Sequence, residues 1–341
     1  MPSVGPCARR LSDVTAPARR SPTKGAVYAL CGALLFGING SVAKVVIGAG
    51  VSAAQLTFLR TLSTAVIAGV ILVISAREQF RISRRDAAGL AALGVAGVAM
   101  IQWLYAVAIS RLPVGVALLI EYTAVILVAL AAWLIFKEKV HARLWWAIAA
   151  VVIGLSIVAE VWHITLDWIG TFAALAAAVA YAFYFLAGER GVARRPAMAV
   201  TFWASAFATA FWALFSGWWH LEPSQFTETV SLTGHLEGVH VPLWVPTLWV
   251  ITLGAFAPFV LSFAALRHLS ATAVGILASS EVLFAFIVAW LWLGETLVAI
   301  QIAGAALVLA GIVIAQTARD RKVDAADASA TMLPEDPATV P

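Results

Sequence analysis

The chain has 341 residues, of which 62% are hydrophobic and only 12% are charged, and its mean hydropathy is +0.94. An ordinary soluble domain is about 45–50% apolar and about 25% charged, so this composition excludes a water-soluble globule. The net charge of +4 does not indicate nucleic-acid binding, because in a membrane protein the position of the basic residues relative to the bilayer decides what the charge means. The two cysteines, Cys7 and Cys31, are too few for a disulfide framework, and neither is interpreted as redox-active or metal-binding.

Ten apolar segments follow one another along the chain, and each is long enough to cross a bilayer as a helix. Helices are predicted because lipid offers no partner to an open backbone N–H or C=O group, and the alternating pattern of a membrane β-barrel is absent from the sequence. The two ends, residues 1–24 and 318–341, are polar and are predicted to be disordered cytoplasmic tails. In chain order the predicted helices cover residues 25–47, 52–76, 87–110, 112–136, 143–160, 168–188, 198–219, 244–266, 271–294 and 297–317.

The basic residues predict that both ends of the chain lie in the cytoplasm. If ten helices alternate in direction from a cytoplasmic N-terminus, Arg111 is the only one of the 22 lysines and arginines that falls in an outside loop. Lys44 and Arg60 lie within helices, and the others lie on the inside, as the positive-inside rule requires of a multi-pass protein in a bacterial-type inner membrane. Lys44 is expected to reach the lipid headgroups, whereas Glu138 and Glu295, at the ends of their helices, are expected to bind donors of loops or neighbouring helices.

The sequence also contains a weak internal repeat. Residues 111–139 align without a gap with residues 268–296, an offset of 157 residues. An offset of 145 residues aligns the first helix with the sixth, and the extra length of the second copy is assigned to the outside loop 220–243. Because five is an odd number, the second copy enters the membrane from the opposite side, which predicts two inverted five-helix repeats over residues 25–160 and 161–317. The pairs behind the repeat include Trp133 with Trp290, Glu138 with Glu295, Gly97 with Gly254 and Ala29 with Ala174.

Over residues 25–317 these features resemble the EamA family of the drug/metabolite transporter (DMT) superfamily. The resemblance rests on the ten-helix layout, the two repeat blocks, Arg60 in FLRTLSTAV and the LWLGE ending of the ninth helix. It implies a secondary transporter that exports small metabolites, amino acids among them, by alternating access through a cavity between the halves. The chain departs from many members in having Ala124 and Glu281 where they carry proline in the fourth and ninth helices.

Three ionisable side chains lie deep in the predicted helices, where a charge costs about 2.5–3.5 kcal/mol to insert. Glu281, in ASSEVLF beside Ser279 and Ser280, is interpreted as a ligand for a substrate amine or as a proton carrier. The alternative is a carboxyl group that only ties two helices together. Arg60 and Glu121 have similar predicted depths and are candidates for a structural ion pair, with substrate binding by Glu121 as the alternative.

Uncharged polar and aromatic side chains in the middle of the first, third, fourth and sixth helices are predicted to line the cavity. Tyr181 and Tyr184 are three residues apart on one helix, and Tyr122 adjoins Glu121, so the tyrosines are expected to form one aromatic surface. A single buried tyrosine more often serves packing than ligand binding. The candidates are Asn39, Gln102, Trp103, Tyr105, Tyr122, Tyr181 and Tyr184.

The sequence indicates no other chemistry. A phosphate-binding loop, a His or Cys cluster with metal spacing and a GxSxG nucleophile motif are absent, so ATP-driven transport, a metal, a cofactor and an enzyme are unsupported. The prediction is a secondary transporter for a small metabolite, such as an amino acid or a related amine, that acts in the lipid bilayer as a monomer or homodimer. Proton coupling and the direction of transport stay open. The alternative function is a membrane scaffold or sensor on the same fold.

Overall fold

Helical residues occur in each of the ten predicted apolar segments. Among the residues that the structure describes, six helices are long and apolar enough to cross a membrane. Parts of the fourth, fifth, ninth and tenth segments, and nearly all of the two tails, lie outside the described residues, so the ten crossings stay a prediction. The computed structural model describes residues 21–124, 126–127, 142–158, 167–192, 194–266, 268, 277–296 and 298–314.

We number the helices after the predicted segments. Several helices begin at or directly after a proline, as the first helix does at Pro22. The first N–H groups of a helix have no partner within it, so a proline there removes no hydrogen bond. The second helix begins in a capping box, in which the Ser52 hydroxyl accepts from the Gln55 N–H at 3.2 Å and the Gln55 side chain accepts from the Ser52 N–H at 2.9 Å. The helices are α1 (Pro22–Gly48), α2 (Ala53–Ser75), α3 (Arg84–Ile109), α4 (Val114–Glu121), α5 (Ala142–Val158), α6 (Trp168–Val192), α7 (Ala197–Phe215), α8 (residues 244–266), α9 (Ser280–Leu293) and α10 (Ala299–Ile314).

The loop predicted between α7 and α8 contains a short β-hairpin. Strand β1 (Thr229–Ser231) pairs antiparallel with strand β2 (His240–Pro242). The hairpin packs on the end of α9, where the Trp292 indole N–H donates to the Leu232 carbonyl oxygen at 2.8 Å. Gly234, at the hairpin tip, has a φ of 56° and lies so close to the α9 backbone that a side chain would collide with it. The hairpin of this loop therefore packs closely on the end of α9.

Two close contacts join α5 and α10, and they involve positions that are equivalent in the two repeat copies. A Cβ atom placed on Gly154 would lie 2.7 Å from the Gly304 carbonyl oxygen, and one placed on Gly311 would lie 2.9 Å from the Ala147 carbonyl oxygen. The offset of 157 residues converts the first pair into the second. The two contacts are therefore equivalent under this offset.

The third helix of each repeat copy rests on the first helix of the other copy, at matching glycines. A Cβ atom on Gly97 would lie 3.4 Å from the Tyr184 side chain, and one on Gly254 would overlap the Asn39 side chain. The offset of 157 residues pairs the two glycines, and the offset of 145 residues pairs Asn39 with Tyr184. Both glycines lie in π-helical turns, which cover Leu93–Ala99 in α3 and Thr252–Phe256 in α8.

Replacing Gly154 by alanine should destabilise the fold by about 1–3 kcal/mol, because the new methyl group forces α5 and α10 apart. The matched control is Gly188→Ala in α6, where nothing lies within 4 Å of the added Cβ atom. That change should be neutral or stabilising by up to about 1 kcal/mol. Thermal unfolding in detergent measures both variants, and equal stabilities would contradict the close crossing.

Candidate functional site

Buried polar side chains from α1 to α4 form a group in the middle of the fold. Arg60 on α2 is 5% exposed, and Glu121 at the end of α4 is 6% exposed. Buried polar atoms normally have hydrogen-bond partners, so polar atoms without one indicate a place where a ligand or water completes the bonding. Within the described ranges, five atoms of predicted site residues have no partner: Asn39 Oδ1, Arg60 Nε, Gln102 Oε1, the Tyr105 hydroxyl oxygen and Glu121 Oε2.

Arg60 faces the π-helical turn of α8. One terminal nitrogen of its guanidinium group lies 3.5 Å from the Gly254 carbonyl oxygen, and Ser63 on the next turn of α2 donates to the Ile251 carbonyl oxygen at 2.8 Å. Gly254 in turn contacts Asn39, so α1, α2 and α8 meet at this turn. π-Helical turns are frequent at functional sites. The sequence had paired Gly254 with Gly97 only as part of the repeat, and nothing in it predicted the contacts of this turn with Arg60, Asn39 or Ser63.

Glu281 joins the group from α9 through a hydrogen bond to Tyr122, the residue directly after α4. The Tyr122 hydroxyl donates to Glu281 Oε2 at 2.7 Å and lies 3.4 Å from the Ala278 carbonyl oxygen. Glu281 is close enough to Arg60 and Glu121 for charge interactions. Two acids and one base therefore share the centre, which carries one net negative charge when all three are ionised.

Arg60 and Glu121 lie in the same buried group without a direct hydrogen bond among the described contacts. Arg60 reaches the Gly254 carbonyl oxygen, and Glu121 Oε2 has no hydrogen-bond partner among the residues that the structure describes. The two side chains interact through their charges over a longer distance. The direct ion pair stays a prediction.

The tyrosines of α4 and α6 form a row of aromatic rings. Tyr122 and Tyr181 meet edge to face with their ring centres 5.9 Å apart, and the ring centres of Tyr181 and Tyr184 are 6.0 Å apart. The row begins at Glu281 and ends against Gly97 of α3. Such a row combines apolar ring surface with hydroxyl groups that form hydrogen bonds.

Other predicted site residues have different contacts. Trp103 packs against Trp212 of α7, with ring centres 5.6 Å apart, in a hydrophobic cluster of α2, α3 and α7. Ser280 donates to the Leu277 carbonyl oxygen at 2.6 Å, and Ser279, next to it, is buried. The contacts found for Trp103 and Ser280 are thus with packing partners and the local backbone, and a role of these three residues in substrate binding stays a prediction.

A second polar cluster joins the ends of α1, α4 and α9. The Lys44 ammonium lies 2.5 Å from Glu295 Oε1 and donates to the Leu112 carbonyl oxygen at 3.2 Å. Glu295 Oε2 accepts from the Val114 N–H, in the first turn of α4, at 2.9 Å. We call these four residues the clasp. The expectation that Lys44 reaches the lipid headgroups is wrong, because a carboxylate and a carbonyl oxygen hold its ammonium group.

Further contacts connect the clasp to the hairpin between α7 and α8. Gly294, directly before Glu295, has a φ of 70° and lies against the His235 ring. The His235 Nδ1 atom is 3.1 Å from the Leu291 carbonyl oxygen of α9. A continuous set of contacts therefore leads from the hairpin through the end of α9 to α1 and α4.

Removing either charged partner of the clasp should lower the free energy of unfolding by about 1 kcal/mol. The effect is small because the Lys44 and Glu295 side chains are 32% and 18% exposed, so water screens their attraction. Glu295→Ala should cost more than Glu295→Gln, since it also leaves the Val114 N–H without an acceptor. Thermal unfolding of Lys44→Met, Glu295→Gln and the double variant tests the bond, and strictly additive effects would argue against it.

Two comparisons with known proteins give matches. A family model described as the EamA-like transporter family matches the chain twice, over residues 23–159 and over residues 168–317. None of the curated proteins matches the chain. Among solved structures, the crystal structure of a protein that is not described further is similar, with a TM-score of 0.58 and 17% sequence identity over 89% of this chain and 99% of that one. At this identity the likeness shows the fold alone.

Proposed function

The chain belongs to the EamA-like transporter family, and from this premise we propose that it is a secondary transporter that moves a small metabolite by alternating access. The family and the long apolar helices make the protein a multi-pass membrane transporter of the DMT superfamily. The observation that carries the proposal is a set of buried polar atoms that have no hydrogen-bond partner among the described residues and that includes Glu121 Oε2, whose carboxyl group lies near Glu281. A centre with a purely structural role would be expected to satisfy these atoms within the protein.

The proposed substrate is an amino acid or a related amine. Glu281 and Glu121 outnumber Arg60, so the centre favours a ligand with an ammonium group. Arg60 Nε, which has no acceptor in the described part of the chain, offers a donor to a carboxylate, and charge-assisted hydrogen bonds to an ammonium group and to a carboxylate are strong. The tyrosine row that begins at Tyr122 offers a surface to the apolar part of the same molecule.

A proton is proposed to exchange with the substrate at the same carboxyl groups. One positive charge is needed to neutralise the centre, and a proton or a substrate ammonium group would each supply it. Buried acids of this kind form proton relays in other transporters. Competition between the two cations would couple export of the substrate to entry of a proton.

The halves 25–160 and 161–317 are proposed to be inverted repeats that rock around the centre, in a bacterial-type inner membrane with both termini in the cytoplasm. The reciprocal glycine contacts of α5 with α10, and of α3 and α8 with the opposite halves, support this arrangement. In this topology the clasp lies on the outer side. We propose that the clasp is the outer gate, which holds α1, α4 and α9 together and breaks when the centre opens outward.

Flux through the purified protein in proteoliposomes tests this function. A screen for thermal stabilisation across an amino-acid and amine library first selects the compounds, and their movement is then followed under an imposed pH gradient. We expect at least one compound to move against its own gradient and to stop when the pH gradient is collapsed. The alternative, a scaffold or sensor, predicts binding without flux.

A further inference from the structure

An apolar groove lies on the outer surface of the helix bundle, between α2 and α7. It has a volume of about 430 Å³ and is far along α2 from Arg60, towards the end of that helix. Ile74 in the groove is 80% exposed, so the groove opens towards the surrounding lipid. Its lining includes Ala65, Gly69, Val73, Ile74, Phe80 and Phe202.

The shape of the groove is fixed by the small residues of α2 and by aromatic packing at one end. Gly69 lies so close to the Phe202 ring that an added Cβ atom would be 3.0 Å from it. Phe80 meets Phe202 edge to face, with ring centres 5.0 Å apart. The Trp203 indole N–H donates to the Gln79 carbonyl oxygen at 3.1 Å and holds the turn between α2 and α3 in place. The groove is therefore preformed.

Positive charge is concentrated at this end of the groove. Residues 77–85 carry four exposed arginines against one glutamate, Glu78. The next acid, Asp86, is already paired with Arg195 at 3.1 Å. Arg77 donates its Nε–H to the carbonyl oxygen of Val73, a groove residue, at 2.7 Å, and its guanidinium group has four further N–H donors. An anionic group at this position would meet several donors and a net positive field.

We propose that the groove and these arginines form a binding site for one anionic phospholipid, with an acyl chain in the groove and the phosphate at Arg77 and Arg81. The α2 stretch from Ala65 to Ile74 is about 14 Å long, close to the roughly 15 Å of one leaflet of the hydrocarbon core. Basic segments at a membrane surface attract anionic lipids. A second copy of the chain is a poorer occupant, because a symmetric pair would bring two positive clusters together.

Lipid retention by the delipidated full-length protein tests the site. Phosphatidylglycerol and phosphatidylcholine with identical acyl chains are added in detergent, and the bound lipid is counted by native mass spectrometry. We expect the wild type to retain one phosphatidylglycerol, several-fold better than phosphatidylcholine. The double variant Arg77→Gln, Arg81→Gln should lose about fivefold per arginine, the equivalent of about 1 kcal/mol each.

A groove-filling variant, Val70→Trp, should weaken retention of both lipids, whereas the controls Leu62→Trp on the same helix and Arg143→Gln on α5 should change neither. Equal retention of the two lipids by the wild type, or unchanged selectivity in the arginine variant, would overturn the proposal. The proposal would also be overturned if the wild type is a dimer and the Val70→Trp variant is a monomer that still retains its lipid. If Val70→Trp fails to fold, the arginine variant alone decides. None of these outcomes depends on transport activity.

Discussion

Replacing Glu281 by glutamine is expected to reduce transport at least 100-fold while the protein still folds and inserts. Glutamine has nearly the same shape, and its amide oxygen can still accept the hydrogen bond from Tyr122. It has no negative charge, so it can neither bind an ammonium group as an ion pair nor carry a proton. The measurement is gradient-driven flux in proteoliposomes that contain equal amounts of protein.

The matched control is Glu237→Gln, because Glu237 is an exposed residue of the hairpin loop, far from the centre. This variant should transport at the wild-type rate. Tyr122→Phe removes the hydroxyl that bonds Glu281 but keeps the charge of this acid, so a loss smaller than that of Glu281→Gln is expected. Wild-type flux in Glu281→Gln would remove this acid from the mechanism.

Arg60→Gln is expected to lower the free energy of unfolding by about 3–5 kcal/mol and to abolish transport. The change leaves Glu121 and Glu281 buried without their basic neighbour, and an uncompensated buried charge is strongly destabilising. Arg60→Lys keeps the charge and should restore most of the stability. Thermal unfolding, together with the yield of folded protein, measures the effect.

A second substitution separates stability from function at this position. Arg60→Gln combined with Glu121→Gln removes one charge of each sign, so the double variant should regain stability but not transport. An Arg60→Gln protein as stable as the wild type would show that Arg60 does not compensate the two acids. Arg143→Gln, at an exposed position on α5, is the control and should be neutral in both measurements.

For the long helices that lie within the described residues, such as α2, the sequence predicted the bounds well because one physical requirement dominates them. A backbone in lipid must satisfy its own hydrogen bonds, so the length of each apolar run sets the length of a helix. The predicted second helix, 52–76, differs from the observed α2, Ala53–Ser75, by one residue at each end. The hairpin at 229–242 was not predicted, because its three-residue strands carry too little pattern to be recognised and depend on contacts with the end of α9.

The sequence predicted which residues belong to the candidate site, but it could not predict which of them touch one another. A charged or aromatic residue in an apolar helix is visible in the sequence, as Glu281 and Tyr122 were, but the bond between them joins positions that are 159 residues apart. Lys44 was misassigned for the same reason, since its partner Glu295 lies 251 residues along the chain. Trp103 was predicted to line the cavity because it lies in the middle of its helix. In the structure its ring packs against Trp212.

The measurement that tests the central proposal most directly is the reactivity of a thiol placed among the buried polar residues of α1. In a chain with Cys7 and Cys31 replaced by serine, Asn39→Cys provides this thiol, and a chain with Cys31 alone provides an exposed control on the outside of the same helix. We predict that membrane-impermeant reagents modify residue 39 from either side of the vesicle and that a transported compound protects it, whereas Cys31, facing lipid, stays unmodified. A residue 39 thiol that no reagent reaches from either side, with or without compound and pH gradient, would contradict a water-filled centre between two moving halves.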